Sequence, residues 1–195
     1  MDYFTIIAQQ EDLRKKITGH ILDTIRLFNK HTVYLGFDSN IAIKLSCVPG
    51  MPYLHTVEKN YIPKRNAHPW HSSKLSGTIL DSVEVVPGDR ILNFRFDSGF
   101  RLVFEMTGRY ANIILVDRDG LITGSTRTVT RRLSGFREIR PGVQYVPPPD
   151  RAYVDVVWGA FPVLEERLKK QNGNIEESLA VSLCAGSRLL AREAV

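Results

Sequence analysis

Cysteine is scarce in this chain, since its 195 residues include only Cys47 and Cys184. Each lies in an apolar run, and such usage excludes a disulfide scaffold and a cysteine-based zinc finger. Long apolar stretches are absent too, because none approaches the ~20 residues of a membrane-spanning helix. The composition, 43% hydrophobic and 24% charged, is that of an ordinary globular protein. No membrane partner is therefore expected.

The N-terminus lacks the charge order of a secretory signal. The segment MDYFTIIAQQEDLRKK places acidic residues first and basic residues later, the reverse of a signal peptide. The sequence predicts a cytoplasmic protein.

Positive charge is concentrated in one stretch of the chain. The formal net charge is +5. Between Arg101 and Arg151 lie nine arginines, five acidic residues and no lysine. Arginine suits planar, bidentate contacts with phosphate, although an ordinary solvated face is the alternative reading.

An internal repeat is the most informative pattern. Gly19-His-Ile-Leu-Asp23 recurs as Gly77-Thr-Ile-Leu-Asp81, and Phe37-Asp38-Ser39 recurs as Phe96-Asp97-Ser98. Apolar residues alternate on both sides of each Asp-Ser turn, which indicates β-hairpins. We predict an α+β fold: an antiparallel β-sandwich built from two related hairpin units and flanked by helices.

Other elements surround the repeat. Residues 2–18 predict a helix that ends at Gly19. The residues predicted on its apolar face are Phe4, Ile7, Ala8, Leu13 and Ile17. Pro49–Ser76 connects the two copies. Its first part, residues 49–69, is rich in proline and polar residues, so we predict a loop there, closed by a short helix at Trp70–Leu75.

The triple proline ending at Pro149 predicts a boundary. We assign residues 1–150 to one domain and residues 151–195 to a helical segment at the start of a truncated second region. Within that segment, Ala160–Lys170 and Ile175–Ala194 predict helices.

Residue patterns for catalysis or metal binding are missing. His68 and His71 flank Pro69-Trp70 without a third ligand, and no phosphate-binding glycine loop is present. Glu105 is expected to pair with an arginine rather than to act in acid–base chemistry. We predict no enzyme activity, no metal site and no cofactor.

The segment TRTVTRRLSGFREIR, residues 126–140, combines arginines with an aromatic residue. Arginines near aromatic residues such as Phe136 and Tyr145 are typical of RNA binding. We predict that three arginines contact RNA phosphates and are exposed close together: Arg127, Arg131 and Arg132. The alternative interpretation is an exposed arginine-rich hairpin that does not bind RNA, since it would have the same sequence pattern.

A turn differs between the two copies of the repeat. Pro87-Gly88-Asp89-Arg90 in the second copy takes the place of Asn29-Lys30-His31 in the first. Turn residues are free to serve function where core residues are not. In the alternative reading, Asp89 caps the turn and Arg90 is merely solvated.

Three separated motifs carry a family resemblance. They are Gly88-Asp-Arg-Ile91, GRYANIILVDRDGLI from Gly108, and REIRPGVQY from Arg137 with Pro147-Pro148 behind it. Together they resemble the NFACT-N domain of the fibronectin-binding protein A (FbpA) family, which includes bacterial RqcH and its eukaryotic counterparts. The resemblance covers about residues 1–149.

This resemblance implies a factor of ribosome-associated quality control. Such a factor binds the obstructed large ribosomal subunit with its stalled nascent chain and holds a tRNA, so that the ribosome adds C-terminal alanine. The matching Asp-Arg pair contacts tRNA in that family, which implies tRNA binding by Asp89 and Arg90. The family continues with a helix-hairpin-helix region, which implies that residues 151–195 begin one.

NFACT-N domains also resemble the N-terminal domain of the formamidopyrimidine-DNA glycosylases. Those enzymes need an N-terminal proline amine with a glutamate beside it. Here Asp2 and Tyr3 occupy these positions, so we expect neither glycosylase chemistry nor DNA as a partner. Two alternative functions remain: an adhesin that binds fibronectin or fibrinogen, and a general RNA-binding scaffold.

Overall fold

The computed structural model describes residues 3–107, 110–149, 161–170 and 174–182. These residues form ten strands and four α-helices, with a 3-10 helix at Lys59–Tyr61. The strands are β1 (Ile21–Phe28), β2 (Thr32–Phe37), β3 (Ile41–Ser46), β4 (Tyr53–Glu58), β5 (Ala67–Pro69), β6 (Thr78–Val85), β7 (Ile91–Phe96), β8 (Arg101–Glu105), β9 (Asn112–Val116) and β10 (Ile122–Ser125). The helices are α1 (Tyr3–Ile17), α2 (Ser72–Leu75), α3 (Phe161–Lys170) and α4 (Ile175–Ser182).

All of the paired strands are antiparallel and belong to one sheet. Its order is β10-β9-β8-β7-β6-β1-β2-β3-β4, and β5 pairs with β1 off this path. We call residues 19–76, which contain β1–β5, the first half and residues 77–149, which contain β6–β10, the second half; β1 and β6 join them. The predicted α+β class and the two related hairpin units are confirmed. The two units are halves of one continuous sheet, since β1 and β6 pair edge to edge.

Two glycines show the symmetry of the halves. The backbone N–H of Gly19 donates to the carbonyl of Leu80 at 2.8 Å, and the N–H of Gly77 donates to the carbonyl of Leu22 at 2.8 Å. Both glycines have positive φ, +83° and +87°, a region that suits glycine. The hydrogen bonds are reciprocal, as a pseudo-twofold relation between the halves requires.

The repeated phenylalanines occupy equivalent places as well. Phe37 pairs with Leu22 across β1 and β2, and Phe96 pairs with Leu80 across β6 and β7. Directly after that leucine the register of β1 and of β6 shifts in the same way, which increases local strand twist. The repeat in the sequence is therefore a repeat in the structure.

The apolar sides of both halves share one core. Phe37 from the first half and Phe94 and Phe104 from the second are buried in the same cluster. Where the halves meet, Cys47 Sγ lies 3.2 Å from the Thr126 hydroxyl. Burial raises the pKa of the Cys47 thiol, so this cysteine is a packed apolar group.

The prediction of a loop over residues 49–69, the first part of Pro49–Ser76, was wrong. The segment contains β4, the 3-10 helix and β5. Strand β4 pairs with β3 along its whole length, from Ser46–Tyr53 to Ile41–Glu58. Only Leu54 is buried in β4, because β4 lies at an edge of the sheet. The alternation of apolar residues in its sequence is therefore weak. The short helix at the end of the segment is confirmed as α2.

Helix α1 buries Leu13 and Ile17 as predicted, but its first two turns bury a different side from the one predicted. Its buried residues are Tyr3, Ile6, Leu13 and Ile17, whereas Phe4 is 44% exposed. The helix itself and its end before Gly19 are confirmed, and α1 packs against β6.

The helical segment after residue 160 contains α3 and α4, which contact each other. Helix α3 confirms the first predicted helix. Helix α4 begins at Ile175 as predicted, and the predicted remainder up to Ala194 lies outside the described residues. Among the described helices, none has the length and apolar content to span a membrane. The boundary at residue 150 stays a prediction.

Candidate nucleic-acid interface

A buried asparagine fixes the start of the arginine segment, which we define as residues 126–140. Asn112 Oδ1 accepts hydrogen bonds from the Arg127 backbone N–H at 3.0 Å and from the Thr126 hydroxyl at 2.9 Å. Its Nδ2 donates to the Arg127 carbonyl at 2.8 Å. Asn112 is fully buried, so the backbone at Arg127 is held against β9.

Two backbone hydrogen bonds close the segment into a loop. Val129 N–H donates to the Ile139 carbonyl at 2.8 Å, and Ile139 N–H donates to the Val129 carbonyl at 2.7 Å. Both side chains are buried in a small cluster with residues of β7–β10. Residues 130–138 therefore project from a fixed base.

The three predicted phosphate-binding arginines differ in exposure. The side chain of Arg131 is 88% exposed and its Nε lies 4.0 Å from a Glu138 oxygen. Arg132 is exposed as well. Arg127 is half-buried, and its guanidinium carbon lies 5.7 Å from the centre of the Tyr110 ring. Two arginines thus reach solvent, and the third packs on an aromatic face.

Arg137 has a different role, because its guanidinium is locked to Glu105. Its Nη1 and Nη2 donate to the two Glu105 oxygens at 2.7 and 2.6 Å. Nη1 also donates to the Val146 carbonyl at 2.8 Å. The Arg137 side chain is 10% exposed and that of Glu105 is 0% exposed. The expected pairing of Glu105 with an arginine is confirmed.

Tyr145 completes this buried cluster. Its hydroxyl donates to Glu105 Oε1 at 2.9 Å. Burial, and then the charge of Glu105, raise the pKa of the Tyr145 hydroxyl, which therefore stays protonated as a donor. A bidentate pair with an added donor satisfies the carboxylate, and removing one partner of such a pair costs about 3–5 kcal/mol. Tyr145 is thus a structural donor, and the ring also lies 5.3 Å from the Arg101 guanidinium carbon.

A cleft of about 270 Å³ lies beside this cluster. Its lining includes Tyr110, Leu133, Phe136 and Pro148, with the locked Arg137. Three of these side chains are large apolar groups left open to solvent: Tyr110 at 45%, Leu133 at 61% and Phe136 at 58% exposure.

The turn with Asp89 and Arg90 is tied down by its backbone. Gly88 N–H donates to the Tyr3 hydroxyl at 3.1 Å, and Gly88 has φ +74°. Asp89 Oδ1 accepts from the Arg90 N–H at 2.7 Å, so the carboxylate caps the turn. The Arg90 carbonyl accepts from Met106 N–H at 2.8 Å.

This turn lies next to the strand that leads into the cleft. Met106 directly precedes Thr107, which lines the cleft. Asp89 and Arg90 are both half-buried. Within the described part of the chain, the Arg90 side chain has no hydrogen bond or ion pair.

Comparison with known proteins identifies the family. A family model described as NFACT N-terminal and middle domains matches residues 2–195. The chain belongs to the NFACT_N family. The predicted resemblance is confirmed.

Two curated relatives are both called Rqc2 homolog RqcH. The protein of Bacillus subtilis strain 168 is 24% identical over 200 residues, which cover 94% of this chain and 35% of the relative. The protein of Streptococcus suis strain 05ZYH33 is 31% identical over 85 residues, covering 39% of this chain and 15% of the relative. The match thus spans only 35% of the length of the Bacillus subtilis protein.

Solved structures share the fold. The N-terminal domain of fibronectin-binding protein PavA from Streptococcus pneumoniae superposes with a TM-score of 0.85 at 21% identity, covering 100% of this chain and 82% of that one. The N-terminal part of the fibronectin/fibrinogen-binding protein from Streptococcus suis gives 0.83 at 23% identity, with 99% and 78% covered. The fibrinogen binding protein from Staphylococcus aureus gives 0.75 at 20% identity, with 96% and 72% covered.

Sequence reasoning missed the structural roles of two residues, one that holds the start of the arginine segment and one in β10. Asn112 stands inside an apolar strand, where a buried amide signals a backbone clamp. Gly124 in β10 is the second: a Cβ there would lie 1.8 Å from His71 Nε2. An unexplained glycine inside a strand indicates such a close approach.

His71 brings the first half against the second through that contact. It is half-buried, and its ring stacks edge-on against Trp70 with 4.8 Å between centres. Burial lowers the pKa of His71. Among the described residues no group of three metal-ligating side chains comes together, and His68 on β5 is exposed.

Proposed function

We propose that this chain is the N-terminal module of a cytoplasmic ribosome-associated quality control factor. In this role it binds the obstructed large ribosomal subunit and a tRNA, and it supports alanine tailing of the stalled nascent chain. Family membership and the two relatives named Rqc2 homolog RqcH support the general role. One observation carries the RNA-binding part: Arg131 and Arg132 reach solvent from a loop that Arg137 anchors by its own buried pair.

The exposed arginines suit contacts with phosphate. Arginine presents a planar fork of donors that fits phosphate oxygens. Contacts to phosphate fix the position and orientation of a nucleic acid and carry no base sequence. Arg131 and Arg132 lie on a loop with a fixed base, so the ends of this loop are already held in place when RNA binds.

Arg90 supplies a second contact in this proposal. Its backbone is fixed on both sides, by the Asp89 carboxylate and by Met106, while its guanidinium has no ion pair within the described residues. Asp89 is then a positioning residue, because its carboxylate already accepts the Arg90 N–H. The alternative reading of Asp89 as a turn cap and the functional reading thus describe one arrangement.

The same proposal treats the chain as a binding module rather than an enzyme. Glu105 is its most buried carboxylate among the described residues, and it accepts hydrogen bonds from Arg137 and Tyr145. Both oxygens of this buried carboxylate are occupied by donors of the chain itself, so its role is structural. RNA is the proposed ligand, with no DNA or membrane partner.

Binding of fibronectin or fibrinogen is the second candidate. It is favoured by the names of the three proteins with similar structures, which are a fibronectin-binding, a fibronectin/fibrinogen-binding and a fibrinogen binding protein. Salt separates the two candidates, since phosphate binding weakens steeply with salt concentration and an apolar protein interface does not.

The experiment measures retention of labelled tRNA on purified large ribosomal subunits by the full-length protein. We expect Arg90→Lys to be defective because an ammonium group lacks the forked donors. Asp89→Asn keeps an oxygen acceptor for the Arg90 N–H and should be intermediate, whereas Asp89→Ala should be worse. The matched control is Lys30→Ala, in the corresponding turn of the first half, which should retain tRNA normally.

Melting temperature separates binding from folding in this series. Surface changes usually alter stability by about 0.5 kcal/mol or less, so Arg90→Lys should melt like the parent protein. Normal tRNA retention by Asp89→Ala combined with Arg90→Ala would remove this turn from the interface. Salt-insensitive binding to fibronectin without any tRNA binding would replace the proposed function by the second candidate.

A further inference from the structure

We propose that the cleft beside Arg137 holds one unpaired RNA base, stacked on its aromatic wall. This inference rests on the proposed function and names the part of the RNA that the interface recognises. Tyr110 and Phe136 supply the aromatic surfaces, and Leu133 and Pro148 add apolar walls.

Its size limits the occupant to something small. At about 270 Å³ the cleft falls just below the range of about 300–1,000 Å³ typical for drug-sized ligands. A single flat base fits this space, whereas a base pair or a duplex does not. Sequence-specific RNA recognition mainly targets such unpaired, splayed-out bases.

The walls of the cleft are apolar and aromatic, which favours stacking of a nucleic-acid base. Side chains as large as Leu133 and Phe136, 61% and 58% exposed, form an apolar surface that the described part of the chain leaves open. Every base has an aromatic face, so stacking on Phe or Tyr tolerates different bases. The Arg127 guanidinium lies over the Tyr110 ring, which adds a cation to one side of this wall.

Charge around the cleft favours RNA over an apolar peptide. Arg131 and Arg132 directly precede Leu133 in the chain, and both are exposed. Arg140 is exposed as well, and the acidic residue that contacts it is Glu138, 3.4 Å away. A nucleotide brings a phosphate on each side of its base, and this rim of arginines complements them.

The cleft is preformed on its inner side. Arg137 contributes to the lining while both of its Nη atoms are held by Glu105 and Val146. A rigid wall lowers the ordering cost of binding. Arg137 therefore acts as a positioning residue that shapes the cleft.

The test uses an RNA hairpin with 2-aminopurine in its loop and the full 195-residue chain. Stacking on an aromatic ring quenches this base, so we expect quenching with the loop label and none with the same label in the stem. Phe136→Ala should weaken hairpin binding about tenfold and remove the quenching. It should leave the salt dependence unchanged, since no phosphate contact is lost. The matched control, Tyr61→Ala, removes a ring that is 68% exposed on the first half and should change nothing.

The outcomes distinguish failure of the base-binding cleft from failure of the proposed function. Hairpin binding that Phe136→Ala does not weaken, with no quenching in the parent protein, would overturn the base-binding cleft and leave the proposed function standing. A parent protein that binds neither hairpin nor tRNA would overturn the proposed function itself. Binding of an apolar, proline-containing peptide that the hairpin does not displace, lost in Phe136→Ala, would assign the cleft to a protein partner instead.

Discussion

The two halves of this domain share a framework and differ in what they attach to it. Each begins at a glycine with positive φ, pairs its repeated phenylalanine with the leucine at the equivalent position, and faces the common core. At the end of the third strand the first half has Ser46 and the second half has Glu105, and both are fully buried. Glu105 holds Arg137, and with it the arginine segment. Duplicated core positions thus build the scaffold, while the second half carries the candidate interface.

Replacing Glu105 by serine gives the second half the residue of the first and should have the largest effect. The Arg137 guanidinium would remain buried without its carboxylate, which destabilises a protein by about 3–5 kcal/mol. Urea denaturation followed by circular dichroism measures the loss. Combining it with Arg137→Met should recover much of the stability, because no unpaired charge is then buried. A loss below about 1 kcal/mol for the single change would contradict the structural role of the pair.

The paired glycines offer a sharper test of symmetry. Gly19→Ala and Gly77→Ala should each cost about 1–2 kcal/mol, because both have positive φ and an added Cβ meets no atom within 4 Å at either site. Gly135→Ala is the control, since its added Cβ also meets nothing and its φ is not in the left-handed region. Unequal losses at Gly19 and Gly77 would break the equivalence of the halves.

The contact between His71 and Gly124 should give the smallest effect, a dependence of stability on pH. Burial lowers the His71 pKa in the folded state, so the unfolded chain binds the proton more readily. Stability is therefore complete above the ordinary histidine pKa of about 6.5 and is lost as pH falls below it.

His71→Asn tests this dependence, because asparagine tolerates the φ of +50° found there. Melting temperatures at about pH 7.5 and 5.5, on either side of that pKa, should differ less in the variant than in the parent protein. Arg95 also lowers the pKa of Glu84, but that carboxylate titrates in a more acidic range. An equal difference in both proteins would mean that another group titrates.

The fold was predictable from the sequence where the signal was local. The repeated motifs and the alternation of apolar residues around Phe37 and Phe96 define the hairpins. Alternating burial in a strand is visible directly in the order of neighbouring residues. Strand β4 was missed because its own side chains show little apolar alternation. Its strand conformation is stabilised by backbone pairing with β3. The face of α1 was predicted correctly at Leu13 and Ile17. It was wrong in the first turns, where Tyr3 and Ile6 are buried rather than Phe4, because that choice depends on the position of β6.

The interface was predictable only in outline. Composition singled out residues 126–140, but the sequence alone does not show which of the five arginines in this segment are structural and which are exposed. Glu105, the partner of Arg137, lies 32 residues away, so only the fold separates this structural arginine from the exposed Arg131 and Arg132. Comparing the repeats singled out the turn at Asp89 and Arg90 as different, and the family resemblance implied its contact with tRNA, which stays a prediction.

The most direct test of the account is the salt dependence of tRNA affinity in two charge-matched triple variants. Arg127→Ala, Arg131→Ala and Arg132→Ala together remove three charges from the second half. Lys30→Ala, Lys64→Ala and Arg65→Ala remove three exposed charges from the first half. If the second half carries the interface, the slope of log Kd against log salt should fall by about 2–3 in the former variant and stay at the parent value in the latter. Equal slopes in the two variants would contradict the central claim that the duplicated scaffold binds RNA through its second half.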